Sequence, residues 1–204
     1  MSIFAPDGKL ATALNTIGSL IVLNLLTILC CLPVFTVGAA MTALYTMTMR
    51  IVRKEEGAIV KEYFAAFRDN FRQATISWLI FGSLMVFMAF DIFLLQRITG
   101  TFGMVYRILL FVIILGFAVE CIHIFALQAR FDNTPKNTAK NALLLCVGHF
   151  PQAVLMLAVT VSPLILLSVS LRFISVVFLI GLSGPAFLAG MYFVSIFRQY
   201  ETQS

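Results

Sequence analysis

Residues 50–72 read RIVRKEEGAIVKEYFAAFRDNFR and form the one long charged stretch in a chain that is otherwise almost entirely apolar. Six Lys or Arg side chains stand there against four acidic ones. Basic residues in short loops are retained on the cytoplasmic side when a membrane protein inserts. We therefore predict that residues 50–72 lie in the cytoplasm and that the apolar segments on either side cross the membrane.

The composition of the whole chain is typical of an integral membrane protein. Hydrophobic residues make up 61% of the 204 residues and charged residues only 11%, whereas soluble domains have roughly 45–50% and about 25%. The net charge of +5 comes from bases scattered over the ends of apolar segments, so no nucleic-acid partner is expected. The four cysteines lie inside apolar segments without ligand spacing, so neither disulfides nor a metal site is predicted.

Five segments are long and apolar enough to cross a bilayer, because a spanning helix needs about 20 residues. A sixth, residues 36–52, reaches only ~25 Å as a helix. If the chain crosses the membrane six times, most basic residues lie on the cytoplasmic side and only Arg97, Arg107 and Arg172 lie outside. If it crosses five times, the 36–52 segment is re-entrant, entering and leaving the membrane on the same side. We predict an all-α polytopic bundle of six membrane helices, or five if 36–52 is re-entrant, in a single domain over residues 1–204. The five segments are Leu10–Leu32, Ala74–Leu95, Phe102–Gln128, Asn141–Ser170 and Phe173–Phe197.

The second half of the charged stretch has the pattern of an amphipathic helix lying in the cytoplasmic membrane interface. Aromatic side chains recur at spacings of three and four residues on one face, and charged side chains occupy the other face. We expect this helix to turn before the apolar segment that begins at Ala74. Its surface, facing the membrane interface or a partner, comprises Tyr63, Phe64, Phe67, Arg68, Phe71 and Arg72.

Polar side chains at membrane depth are the default candidates for a functional site. Glu120 and His123 are three residues apart, hence on one helix face, and His149 is predicted at a similar depth on the next helix. The three side chains are compatible with a proton-coupled or substrate-binding cluster, or with an interhelical hydrogen bond that only holds the bundle together. A single Glu-x-x-His pair is half of a dimetal motif and lacks the other ligands, so no metal or cofactor is expected.

Two prolines are predicted to kink spanning helices near the middle of the membrane. Pro151 should free the carbonyl of Val147, and Pro185 that of Gly181. Interrupted helices build the binding sites of many transporters, but prolines and glycines in spanning helices also serve plain packing. Both interpretations stay open.

No motif of a familiar enzyme occurs in the chain. The sequence contains no GxSxG, no GxxxxGK[ST] and no GxGxxG. We therefore expect a nonenzymatic protein without catalytic residues.

Three stretches carry a resemblance to a known family. They are GAAMTALYTMTMRIVRKEEG (38–57), KEYFAAFRDNFRQAT (61–75) and RFDNTPKNTAKNALLLCVGHFPQ (130–152). Together they resemble the YesL family of bacterial membrane proteins, a domain of unknown function. The resemblance implies a polytopic helical protein of the plasma membrane, often encoded beside genes for carbohydrate uptake and polysaccharide degradation. It implies no catalytic residues.

These observations favour an accessory or regulatory membrane protein that works with a carbohydrate transporter component through the 50–72 stretch. The alternative is a small transporter or lipid-handling protein whose polar intramembrane site is Glu120, His123 and His149. A third hypothesis is a structural scaffold that forms homo-oligomers through its glycine-rich last helix. In each case the lipid bilayer is the constant partner.

Overall fold

The computed structural model describes residues 9–55, 57–95, 100–131 and 134–201. These residues form α-helices, two single turns of 3-10 helix and short connections, and no strand occurs among them. The all-α prediction is therefore confirmed. The helices are α1 (Lys9–Cys31), α2 (Val37–Arg53), α3 (Ile59–Leu95), α4 (Thr101–Gln128), α5 (Pro135–Gly148), α6 (Phe150–Val169), α7 (Ile174–Ile180) and α8 (Ser183–Glu201).

Five helical segments in the described part of the chain are long and apolar enough to cross a membrane. The pair formed by α7 and α8, bent by 51°, makes a sixth if it counts as one span. This agrees with the predicted five or six membrane helices, and the segment Val34–Arg53 is among the five. Arg97 lies outside the described residues, and the cytoplasmic placement of 50–72 stays a prediction.

Helix α2 is the central helix of the bundle. Of the 18 consecutive residues that make up its most apolar part, 67% are buried inside the protein, whereas the corresponding share is 22% for α1 and 6% for α3. Small residues allow the neighbouring helices to approach, because a Cβ at Gly38 would overlap the carbonyl of Ala74 and the side chain of Trp78. A helix that faces protein rather than lipid needs less hydrophobic bulk. This explains why the segment Val34–Arg53 has the lowest mean hydropathy of the five, 1.2.

Helix α3 runs without interruption for 37 residues, so the predicted turn before Ala74 is wrong. The segment from Asn70 to Ser77 has neither proline nor glycine to end the helix, and the Asn70 side chain bonds back to the Ala66 carbonyl at 3.0 Å. At 1.5 Å per residue α3 is ~55 Å long, whereas the hydrocarbon core is about 30 Å thick. The predicted interfacial helix is thus the first third of a spanning helix.

The span predicted over Asn141–Ser170 is two helices that meet at His149, and only Phe150–Val169 has the length and composition of a span. The physical reason is Pro151, which has no N–H to continue the helical ladder and is tolerated only in the first turn of α6. Helix α5 is connected to α3 by a hydrogen bond of 3.5 Å from Gln73 Nε2 to Thr138 Oγ1.

Candidate functional site

His123 lies in the protein interior on α4, with 1% of its surface exposed. Its Nδ1 is 2.9 Å from the carbonyl oxygen of Val119, one turn earlier. Because a carbonyl only accepts hydrogen bonds, Nδ1 carries the proton, and Nε2 is the basic nitrogen of the neutral ring. The ring packs edge-on against Phe193, with centroids 5.3 Å apart. Nε2 is buried and has no hydrogen-bond partner among the described residues.

His149 occupies the single residue between α5 and α6. Its backbone (φ −126°, ψ 43°) departs from helical values, yet its N–H still donates to Leu145 O and its carbonyl accepts from Ala153 N, each at 2.9 Å. The side chain is half-buried, and its Nδ1 is a second ring nitrogen with no partner among the described residues. Neither a hydrogen bond nor a ring contact joins His149 to His123 among the described residues. That the two side chains meet stays a prediction.

Glu120 belongs to a different environment. Its half-buried side chain lines a groove of about 490 Å³ between α4, α5 and α6, and neither His123 nor His149 is part of that lining. Cys146 of α5 lines the same groove. Glu120 thus lines this groove without the two histidines, and the three-residue cluster stays a prediction. The described residues contain no group of three or more metal-ligating side chains placed to hold an ion.

The two predicted proline kinks are helix boundaries instead. Pro151 and Pro185 lie in the first turns of α6 and α8, so the spans are interrupted there rather than kinked within a helix. The proline inside a helix is Pro163, which the sequence interpretation did not single out. It frees the carbonyl of Val159, which accepts a hydrogen bond of 2.7 Å from Ser162 Oγ.

A second, smaller groove lies between α6 and the α7–α8 pair, with a volume of about 340 Å³. Its walls are apolar side chains, prolines and glycines, and Ser162 is the one polar side chain among them. Because that hydroxyl is already donated to Val159 O, this groove offers no free polar side chain to select a ligand.

Asn24 on α1 is fully buried and joins the two halves of the broken α7–α8 span. Its Nδ2 donates to the carbonyl of Phe178 at 2.7 Å and, more weakly, to that of Val177 at 3.5 Å. Its Oδ1 accepts from the backbone amides of Leu182 and Ser183 at 2.7 and 3.0 Å. The end of one helix needs donors and the start of the next needs acceptors, and an amide side chain supplies both. The available signal was an Asn within the apolar part of α1.

The aromatic side chains of the predicted surface differ in how far they are buried. Tyr63 is fully buried, and its hydroxyl donates to the carbonyl of Ala40 on α2 at 3.4 Å. Contrary to the prediction, Tyr63 is therefore an anchor between α3 and α2 and not part of a surface. Phe67 and Phe71 are half-buried with ring centroids 5.5 Å apart, and Phe64 is exposed.

The charged part of the predicted surface faces outward. Arg68 and Arg72 are exposed, and Arg68 makes only a loose contact of 3.7 Å with the equally exposed Asp69. By contrast, Arg50 at the end of α2 and Glu62 at the start of α3 form an ion pair of 2.9 Å. The Arg50–Glu62 ion pair thus connects two helices, whereas Arg68 and Arg72 are available for contacts outside the chain.

A comparison with protein-family models matches residues 20–92 to the family described as "Protein of unknown function, DUF624". The match runs from the middle of α1 to near the end of α3, so it includes Asn24 and the charged surface but not Glu120, His123 or His149. No curated protein and no solved structure gives a significant match. This partial match and the apolar helices fit a multi-pass membrane protein whose function is not established.

Proposed function

We propose that the chain is a nonenzymatic, YesL-like accessory component of carbohydrate uptake in the plasma membrane. It contacts a transporter component through a cytoplasmic surface on the first third of α3, which we call the polar face and define as Lys61, Phe64, Arg68, Asp69 and Arg72. The family match over residues 20–92 supports this proposal because it contains the whole polar face. The link to carbohydrate uptake rests on the resemblance of three sequence stretches to the YesL family.

The observation that carries the proposal is that the polar face is not used within the chain. Lys61 and Arg72 make no ion pair with any described residue, and the Arg68–Asp69 contact is too exposed to contribute much stability. Each side chain of the polar face is exposed. Arg side chains with an exposed aromatic neighbour are enriched where proteins meet. A face of this kind is suited to an acidic surface on a partner.

The experiment is site-specific photo-crosslinking in intact membranes. A photoreactive residue at position 68 or 72 is expected to link the chain to a subunit of a carbohydrate importer, and the charge reversal Arg68→Glu with Arg72→Glu should abolish copurification of that subunit. The matched control is position 87 on the same helix, where Phe87 is exposed on the apolar part of α3. Recovery of lipid adducts alone at positions 68 and 72 would contradict the proposal.

A second candidate function is a small carrier or lipid-handling protein, and the groove that contains Glu120 favours it. An acid at membrane depth is costly and is therefore usually functional. Glu120→Gln is expected to abolish growth on the carbohydrate whose uptake depends on the chain, at unchanged abundance of the protein. If Glu120→Gln and His149→Ala both leave growth intact, these side chains are structural.

A further inference from the structure

The groove beside α4 is large enough for a small organic molecule. Its volume of about 490 Å³ lies within the range of roughly 300–1,000 Å³ that is typical of ligand sites. One wall is the segment 112–120 of α4, and the other walls come from the end of α5 and the start of α6. These walls lie on either side of His149, where α5 ends and α6 begins.

The groove opens toward the region where lipid would lie. At its rim Val112, Leu143 and Phe150 are each more than half exposed, so no described element covers it. At its base Val119 and Cys146 are buried and pack with Ala153 of α6. A ligand would therefore enter sideways from the bilayer rather than from water.

Glu120 is the one charged side chain in the lining of this groove. It makes no ion pair and no hydrogen bond with any described residue. An ionised carboxylate in apolar surroundings is costly unless it takes up a proton or a cation meets it. An organic cation whose charge is surrounded by apolar groups is weakly hydrated, so it loses little hydration free energy when it enters the groove. Its apolar groups also pack against the apolar walls of the groove. Charge and shape together are complementary to a lipophilic organic cation.

We propose that the Glu120 groove binds lipophilic monovalent organic cations that arrive from the bilayer, with the Glu120 carboxylate as the counter-charge. The inference rests on the second candidate function and names its ligand class. It is independent of partner contacts at the polar face.

The test uses the full chain in nanodiscs of zwitterionic phospholipid, with empty nanodiscs as the background. The probe is tetraphenylphosphonium, and tetraphenylborate serves as an anion of nearly the same shape. Saturable binding of the phosphonium and none of the borate is expected. Glu120→Gln should weaken phosphonium binding at least tenfold, which corresponds to about 1.4 kcal/mol.

Two further variants separate the site from general effects. Asp91→Asn removes another acid of a spanning helix, half-buried on α3 and outside the groove lining, and should leave the affinity unchanged. Val154→Trp fills the groove while keeping Glu120 and should weaken binding as strongly as Glu120→Gln. If both variants lose binding at an unchanged thermal midpoint, a folding defect in either variant is excluded as the cause. The thermal midpoint of each variant is measured alongside.

Equal phosphonium affinity of the wild type and Glu120→Gln, or equal binding of the borate, would mean that the groove holds only hydrocarbon and would overturn the proposal. Absence of phosphonium binding to the wild type would overturn it as well. If Glu120→Gln still abolishes growth in that case, the carrier function stands and only the ligand class is wrong.

Discussion

Replacing Asn24 by leucine tests whether one side chain holds the broken α7–α8 span together. Leucine has nearly the same size but neither donor nor acceptor, so the carbonyl of Phe178 and the amides of Leu182 and Ser183 lose their partners. Asn24 and Ser183 are both fully buried. Unpaired backbone groups at membrane depth are among the most unfavourable features of a membrane protein.

The expected cost follows from three hydrogen bonds of 2.7, 2.7 and 3.0 Å. At the average of about 0.6 kcal/mol for a polar contact between membrane helices, they contribute ~2 kcal/mol. At about 1.5 kcal/mol each, the upper range for a net hydrogen bond, they contribute ~4.5 kcal/mol. We predict that Asn24→Leu lowers the free energy of unfolding by about 2–4.5 kcal/mol.

Two measurements check this prediction. Reversible unfolding in detergent micelles gives the change in stability, and hydrogen exchange of the peptide over residues 180–186 reports the amides of Leu182 and Ser183 directly. Asn15→Leu is the matched control, because Asn15 lies on the same helix but is exposed. If the two variants unfold alike and exchange over 180–186 does not rise in Asn24→Leu, the clamp contributes nothing and the reasoning is refuted.

Three further predictions concern the packing of the bundle. Gly38→Leu should destabilise the protein by more than ~2 kcal/mol through overpacking of α2 on α3, whereas Gly18→Leu, where a Cβ meets nothing within 4 Å, should be neutral in the same unfolding assay. Arg50→Glu should cost about 0.5–1 kcal/mol, and the exchange Arg50→Glu with Glu62→Arg should restore most of it; failure of the double variant to recover would refute the ion pair. His123→Phe keeps the ring contact with Phe193 and removes the unpartnered Nε2, so thermal stability should be unchanged or higher, and a clear loss would indicate a buried partner for that nitrogen.

The number of membrane helices could be predicted because it depends on length and apolar composition alone. The helix interruptions were only partly predictable. Pro151 and Pro185 marked the right neighbourhoods, but a proline pattern does not distinguish a kink inside a helix from the first turn of a new one. The difference depends on tertiary contacts such as the bonds from Asn24, whose partners lie 153 to 159 positions away in the chain.

The faces of individual helices were less predictable than the helices. Tyr63 shares its spacing with Phe64, Phe67 and Phe71, but in a membrane protein an aromatic side chain packs equally well against lipid and against other helices. Periodicity therefore could not identify Tyr63 as the buried member of the set. Hydrophobic patterning separates polar from apolar faces, whereas the structure adds which apolar face is covered by α2.

The same limit applies to the candidate site. Residues three apart on a helix differ by about 60° around its axis, and this is enough to place Glu120 in a groove and His123 in the core. The proximity of His123 and His149, inferred from their similar distance to the helix ends, stays a prediction. The groove could not be predicted, because its walls come from three helices whose mutual packing the spacing of residues does not give.

The continuity of α3 has a mechanical consequence. Trp78 fixes the helix near its midpoint, since its indole N–H donates to the carbonyl of Val34 at 2.7 Å and its ring lies 6.5 Å from that of Phe125. The arms on either side of Trp78, to Ile59 and to Leu95, are ~29 and ~26 Å long. Once its contacts with α2 at Glu62 and Tyr63 yield, such a helix acts as a lever with nearly equal arms, and a sideways push on the polar face moves the opposite end by a similar distance in the opposite direction. Spin labels at positions 64 and 93, each referenced to a label on α1, would register the two displacements, and movement of one end alone would show that α3 bends instead.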